Sequence, residues 1–253
     1  MRINNNIMAM NAHNQLRINN YNQGKSIEKL SSGYRINRAA DDAAGLAVSE
    51  KMRGQIRGLA QAQRNAQDGI SLVQTAEGAL NEVSDMLTRM KELMVQKANG
   101  TYNSADTANI DEELTALRAE ITNIASKTKF NDKAVLQGSS FDIQINHSSG
   151  AIMTIATPNL SLTTTTLTNV ESAIESVSTE RAKLGALQNR LEHTVNNLGT
   201  THENLQAAES RVRDTDMAKE MMNFTKFNIL NQAAQSMLAQ ANQAPQGVLQ
   251  LLG

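Results

Sequence analysis

The chain has 253 residues, with 3% aromatic side chains, no Trp, no Cys and 2 Pro. Its formal net charge is −1, so no strong field draws it to nucleic acid or anionic lipid. The absence of Cys excludes disulfides, thiolate zinc sites and cysteine nucleophiles, and the scarcity of large aromatics leaves Leu, Ile, Val, Met and Ala to supply buried area, which suits thin helical rods better than a thick globule.

The first ten residues, MRINNNIMAM, carry neither an apolar h-region nor a small-residue cleavage site, so they do not read as a secretory signal. No run approaches the ~20 apolar residues of a membrane span. Residues 1–22 hold eight Asn. Asn costs about 0.6 kcal/mol against Ala in a helix, so the eight together cost about 5 kcal/mol. Ile3, Ile7 and Met10 give a short helical stripe that Asn14 and Arg17 interrupt. This segment is expected not to be helical by itself.

Leu30 to Arg53 reads LSSGYRINRAADDAAGLAVSEKMR. Gly33 has the place of a left-handed cap that ends a first helix. One of Asp41 and Asp42 N-caps a helix that starts at Ala43, and the other favours its positive end. Between them, Arg35 and Arg38 stand where they can pair with carboxylates or helix-end carbonyls. The charges of this stretch build an elbow between a thin terminal rod and a thicker central one, not an active site.

Heptad steps from Met52 to Met94 place nine apolar residues in thirteen positions, and the same count holds from Val170 to Val212. Two sustained stripes far apart in sequence predict two rods that pair. A continuous helix over 45–98 would be roughly 80 Å long. A second stripe, Leu72, Ala76, Ala79, Val83, Met86, Met90 and Leu93, gives the first rod another neighbour. Ile110, Leu114, Leu117, Ile121 and Ile124 predict that neighbour, a third helix after the Asn99-Gly100 break, capped by Ser104 or Asp106. Phe141, Ile143 and Ile145 alternate with polar residues, NHSSG turns, and AIMTIA returns, which predicts a β-hairpin near 141–156. Pro158 and the Thr163–Thr166 run predict a loop. Gly54, Gly58, Gly69 and Gly78 interrupt the first rod and make sense where backbones approach closely.

After Lys226 no charged side chain occurs for 27 residues, yet Phe227, Leu230, Ala234, Met237 and Ala241 keep a stripe. An uncharged, amide-rich amphipathic tail is suited to burial among copies or partners. No catalytic constellation stands out. The four His fall in no HExxH, since His202-Glu203 is followed by Asn-Leu-Gln, and no GxSxG or phosphate loop is present. No cofactor or metal is expected, and no enzyme.

The Leu30–Arg53 stretch, together with QRNAQDGISLVQTAEGALNEV (Gln63 to Val83) and NILNQAAQSMLAQANQAPQGVLQLLG (Asn228 to Gly253), resembles bacterial flagellin. The likeness runs through roughly 1–160 and 165–253. It implies a mainly α fold: long antiparallel coiled-coil rods with one small β-hairpin region. Residues 1–40 and 215–253 would pair as the inner layer called D0, and 41–214 would form the next layer, D1. The variable outer domains of larger flagellins have no counterpart here. The resemblance implies a structural subunit of the flagellar filament, held extracellularly after passage through the flagellar apparatus. It also implies a chaperone on the C-terminal segment, contact with filament cap and hook-junction proteins, and neither nucleic acid nor membrane insertion. Self-assembly residues would include Ile3, Ile7, Met10, Phe227, Leu230, Met237, Leu249 and Leu252. By the family pattern, a host Toll-like receptor would read Arg89, Leu93 and Glu113. The alternative at those residues is a bridge between helices by Arg89 and Glu113, with Leu93 in the second stripe. Thr88 and Lys91 depart from the pattern. Competing readings of the whole chain are a hook–filament junction protein and a cytosolic helical scaffold.

Overall fold

A computed structural model describes residues 6–147, 150, 152–159 and 166–252, with side chains of the last helix as far as residue 243. In chain order the elements are α1 Ile7–Ser32, α2 Ala43–Lys97, α3 Ser104–Lys127, β1 Lys129–Phe130, β2 Lys133–Ala134, β3 Ser140–Gln144, β4 Ile152–Ala156, α4 Leu167–Arg213 and α5 Met217–Leu252. The chain is thus mainly α, with the β-structure confined to two small antiparallel hairpins among the described residues. It divides into two compact units, one of residues 1–54 with 205–253 and one of residues 55–204. Most of α2 and most of α4 belong to the second.

In the 55–204 unit the heptads govern packing. Leu59, Ala66, Val73, Leu80, Leu87 and Met94 are all buried on α2, and Val170, Val177, Leu184, Leu191 and Leu198 on α4. Each series steps by seven residues, which keeps one face of a slightly supercoiled helix on its partner. The ion pairs Arg181–Glu77 and Lys91–Glu171 set the two helices antiparallel. The second stripe of α2 is buried at Leu72, Ala76, Val83, Met90 and Leu93, in one cluster with Ile110, Leu114, Ile121 and Ala125 of α3. Fully burying each large side chain stabilises the unit by about 1.5–3 kcal/mol before entropy is counted. Arg89–Glu113 and Lys97–Asp111 join α2 to α3.

Three local expectations change. The cap of α3 is Asn103, whose side chain accepts from the Asp106 N–H while the Asp106 carboxylate accepts from the Asn103 N–H. Ser104 is the first helical residue instead of the cap, and Asp106 is the reciprocal member of a capping box. Of the four rod glycines, Gly58 and Gly69 lie under hairpin side chains. A Cβ at Gly58 would stand 2.6 Å from His147 Cβ, and one at Gly69 would stand 2.5 Å from Ile143 Cδ1. Gly54 and Gly78 face nothing within 4 Å, so close approach does not explain them. The hairpin β1–β2 was not foreseen. Its two-residue turn is Asn131-Asp132 with φ 48° and 62°, the left-handed conformation that Asn and Asp tolerate.

The foreseen hairpin pairs Phe141 with Ile155 and Ile143 with Met153. Met153 and Ile155 turn into the core at 7% and 0% exposure. Of the expected loop after Pro158, residues 160–165 lie outside the described residues.

Candidate functional site

In the unit of residues 6–54 and 205–252 the connector after α1 is zipped to the connector before α5. Gly33 takes φ 73° and its N–H returns to the Lys29 carbonyl at 2.9 Å. The Arg35 N–H donates to the Arg213 carbonyl at 2.7 Å, and the Thr215 N–H donates to the Gly33 carbonyl at 2.9 Å, which makes a short antiparallel bridge. The Arg35 guanidinium donates to the Val212 carbonyl at the end of α4. Arg38 donates from Nε to Glu28 at 2.9 Å. Arg213 lies over the Tyr34 ring, 4.8 Å from its centroid, and donates to Glu50 at 2.7 Å.

The two aspartates divide their work. Asp42 is the cap of α2, accepting from the Gly45 N–H at 2.8 Å. Asp41 turns back instead: it accepts from the Arg38 N–H at 3.1 Å and pairs with Lys25 of α1 at 3.0 Å. The Lys25 hydrogen bond, then the Arg38 N–H, holds the Asp41 carboxyl below the usual aspartate range, and Asp41 raises Lys25. Ile36 is 1% exposed beneath this cap. A Cβ at Gly45 would strike the Asp42 carboxylate and lie 2.9 Å from Ile36 Cδ1, so that glycine was a signal the sequence reading left unused.

Helices α1 and α5 pair antiparallel. The Asn6 side chain, which also caps α1, donates to the Ala241 carbonyl at 2.6 Å, and Asn231 Nδ2 donates to Gln23 Oε1 at 2.6 Å. Residues 7–22 of the asparagine-rich segment are therefore helical, and their partner is the uncharged tail. The less exposed positions of α1 include Ala9, Ala12, Leu16, Asn19, Gln23, Ser26 and Leu30, and those of α5 include Phe227, Asn231, Ala234, Leu238 and Ala241. This seam consists mostly of small and amide side chains in steps of three and four. Ser26 and Asn231 are buried, and Asn231 Oδ1 has no partner.

Leu16, Leu30, Phe227 and Leu238 lie at the seam, but most of the bulky Ile and Met residues face the other way. Ile7, Met8, Met10, Ile18, Tyr21 and Ile27 of α1 are exposed, as are Met217, Met221, Met222, Ile229, Leu230 and Met237 of α5. Leu230 and Met237, which the sequence stripe placed with Ala234 and Ala241, lie on this outer face. Phe227 is half-buried in the seam. Among the described residues Ile36 is the one buried apolar side chain of this unit; every other belongs to residues 55–204. A helix pair whose seam mixes amides and small residues with a few Leu and Phe, and whose outer face carries Ile and Met, leaves much apolar area uncovered. Ile3 and the side chains of Leu249 and Leu252 lie outside the described residues.

The candidate receptor residues are only partly surface groups. Arg89 bonds Glu113 at 3.1 Å and Glu92 at 3.3 Å, with about half of its side chain exposed. Both carboxylates raise its pKa, Glu113 first. Leu93 is 2% exposed and belongs to the α2–α3 core, so it offers no apolar knob to an outside molecule. His202 is half-buried on α4, and no group of His, Asp and Glu able to hold a metal occurs among the described residues. No described helix is long and apolar enough to cross a membrane.

Comparison with known proteins accounts for this arrangement. Residues 3–140 match the bacterial flagellin N-terminal helical region, and residues 167–252 match the bacterial flagellin C-terminal helical region. The chain is similar to a flagellin of Halalkalibacterium halodurans, 54% identical with all of both chains covered, and to a flagellin of Bacillus subtilis, 50% identical with all of both covered. Its fold is similar to the crystal structure of Bacillus cereus flagellin, with TM-score 0.50 and 36% identity, covering 58% of this chain and 94% of that one. The chain belongs to the bacterial flagellin family.

Proposed function

We infer that the protein is a structural subunit that polymerises into the flagellar filament, and that the α1–α5 pair supplies much of the contact between copies. The observation that carries this is the outer face of the helix pair: Ile7, Met8, Met10, Ile229, Leu230 and Met237 have no cover within one chain. Exposed apolar area is stabilised by about 25 cal/mol per Å² when another surface covers it. A filament offers that cover, because each subunit meets identical neighbours in fixed orientation. Full-length similarity to flagellins supports the same reading over a hook–filament junction protein or a cytosolic scaffold. Purified chain is expected to grow long filaments visible by electron microscopy. A chain lacking residues 228–253 is expected to keep its far-ultraviolet helical signal from the 55–204 unit yet form none. Short rings or caps from the full chain would overturn the reading.

Residues 1–40 with 215–253 are proposed as the inner filament layer and 41–214 as the next. Export through the flagellar apparatus, a chaperone on the α5 segment, and contacts with cap and junction proteins accompany the filament role. For host recognition the proposal narrows to Arg89 and Glu113, whose charged groups are accessible on neighbouring helices. Monomers carrying Arg89→Ala are expected to stimulate receptor-bearing cells less than the unsubstituted monomer; equal stimulation would remove the assignment.

A further inference from the structure

We propose that the Asn99–Gly100 turn between α2 and α3 is a spontaneous deamidation site, a modification that uses water alone and marks the age of a subunit. It is the one Asn-Gly pair in the sequence. In the reaction the Gly100 backbone nitrogen loses its proton to hydroxide and attacks the Asn99 side-chain carbonyl carbon. A new C–N bond forms, the side-chain amide departs as ammonia, and a five-membered imide remains. Water opens that ring at either carbonyl to give aspartate or isoaspartate. The balance is one water consumed and one ammonia released, with no redox change.

Four observations prepare the turn for this step. Gly100 has no Cβ, and one built there would meet nothing within 4 Å, so approach to its nitrogen is open. Asn99 and Gly100 are both exposed and lie beyond the last residue of α2, where water and hydroxide reach them. The Asn99 N–H is bonded to the Gln96 carbonyl at 3.1 Å, and the Asn99 carbonyl receives the Tyr102 N–H at 3.5 Å. The Gly100 N–H and the Asn99 side-chain amide have no such partner among the described residues, so neither reacting group must first be released. The neighbouring Asn103-Ser104 pair shows the opposite condition. There the Asn103 side chain is held by the Asp106 N–H at 2.8 Å and Ser104 opens a helix. Asparagines inside α1, α4 and α5 are followed by residues fixed in helix, which cannot swing onto the side chain.

The product changes the site in two ways. It adds a negative charge at the C-terminal end of α2, where the helix dipole already presents its negative pole. The isoaspartyl form also inserts a methylene into the backbone of the turn. Because no enzyme is needed, the acidic fraction grows with time from synthesis.

The test uses full-length protein, as monomer and as polymer, held at 37 °C in buffers of pH 7.4 and 9.0 and sampled over weeks. Peptide mass mapping follows amide-to-acid conversion at every asparagine, and enzymatic methylation detects isoaspartate. Conversion at Asn99 is expected at least tenfold faster than at Asn103 or any helical asparagine, faster at the higher pH, and suppressed in both Asn99→Gln and Gly100→Ala. Conversion at Asn99 no faster than at Asn103, or unchanged by Gly100→Ala, would overturn the proposal. Both substitutions lie in an exposed turn, and a melting curve matching the unsubstituted chain certifies that the fold is intact.

Discussion

Replacing Arg213 with Ala tests how the connectors after α1 and before α5 are held together. The guanidinium is 13% exposed and 4.8 Å from the Tyr34 ring centroid. A largely desolvated stack of this kind contributes about 1.5 kcal/mol. The bond to Glu50 is 2.7 Å long, but that carboxylate is 57% exposed, so solvent screening limits it to about 0.5 kcal/mol. Against these stands Nε, buried without a partner, a desolvation of about 1 kcal/mol. The difference is about 1 kcal/mol, roughly a fivefold change in the local opening equilibrium. The Arg35 and Thr215 amides, which bridge the two connectors, report that opening directly. Hydrogen exchange on the monomer is expected to quicken about fivefold at both amides in Arg213→Ala and less in Arg213→Lys, which keeps charge but loses the planar stack. Unchanged exchange in Arg213→Ala, with acceleration in Glu50→Ala, would refute the stack as the main support.

The connector after α1 also carries a pH signature. Asp41 is lowered, so its contribution is complete above the ordinary aspartate range and is lost as pH falls through its depressed value. Lys25 is raised, so its contribution is complete below the ordinary lysine value and is lost as pH rises through its elevated one. Exchange at the Arg38 amide should be flat in protection across neutral pH, weaker at both extremes, and Asp41→Asn should abolish both limbs; a neutral-range transition would contradict the pairing. In urea unfolding of the monomer, Gly78→Ala should gain about 1 kcal/mol, the helix propensity difference at an open site. Gly58→Ala should lose stability, since its Cβ would stand 3.2 Å from the His147 backbone; a gain at both would show that the hairpin does not bear on α2.

What was legible in the sequence followed repetition. Leu59 to Met94 and Val170 to Leu198 recur every seven residues, so helix type, pairing and core could be read from spacing. Gly33 and Ala43 marked helix ends because cap chemistry is local. Asp41 could not be assigned, since its partner Lys25 is distant in sequence and an acidic pair before a helix fits either order. The α5 stripe merged two faces: Ala234 and Ala241 lie nearer the seam, while Leu230 and Met237 are exposed, and hydropathy alone weights them alike. Leu93 illustrates the same limit, because a family pattern names a residue type while burial depends on α3 packing over it. The β1–β2 hairpin escaped because two-residue strands carry no period to detect.

The central claim is that the outer face of the α1–α5 pair is covered by other copies. Ile229→Glu and Met237→Glu test it most directly, because these side chains are 60% and 67% exposed in the single chain. Substitution at such positions changes monomer stability by no more than about 0.5 kcal/mol, so any loss of assembly must arise between chains. Both variants should melt as the unsubstituted monomer does and remain in the supernatant when polymerised samples are sedimented. Normal filament yield from both variants would contradict the account.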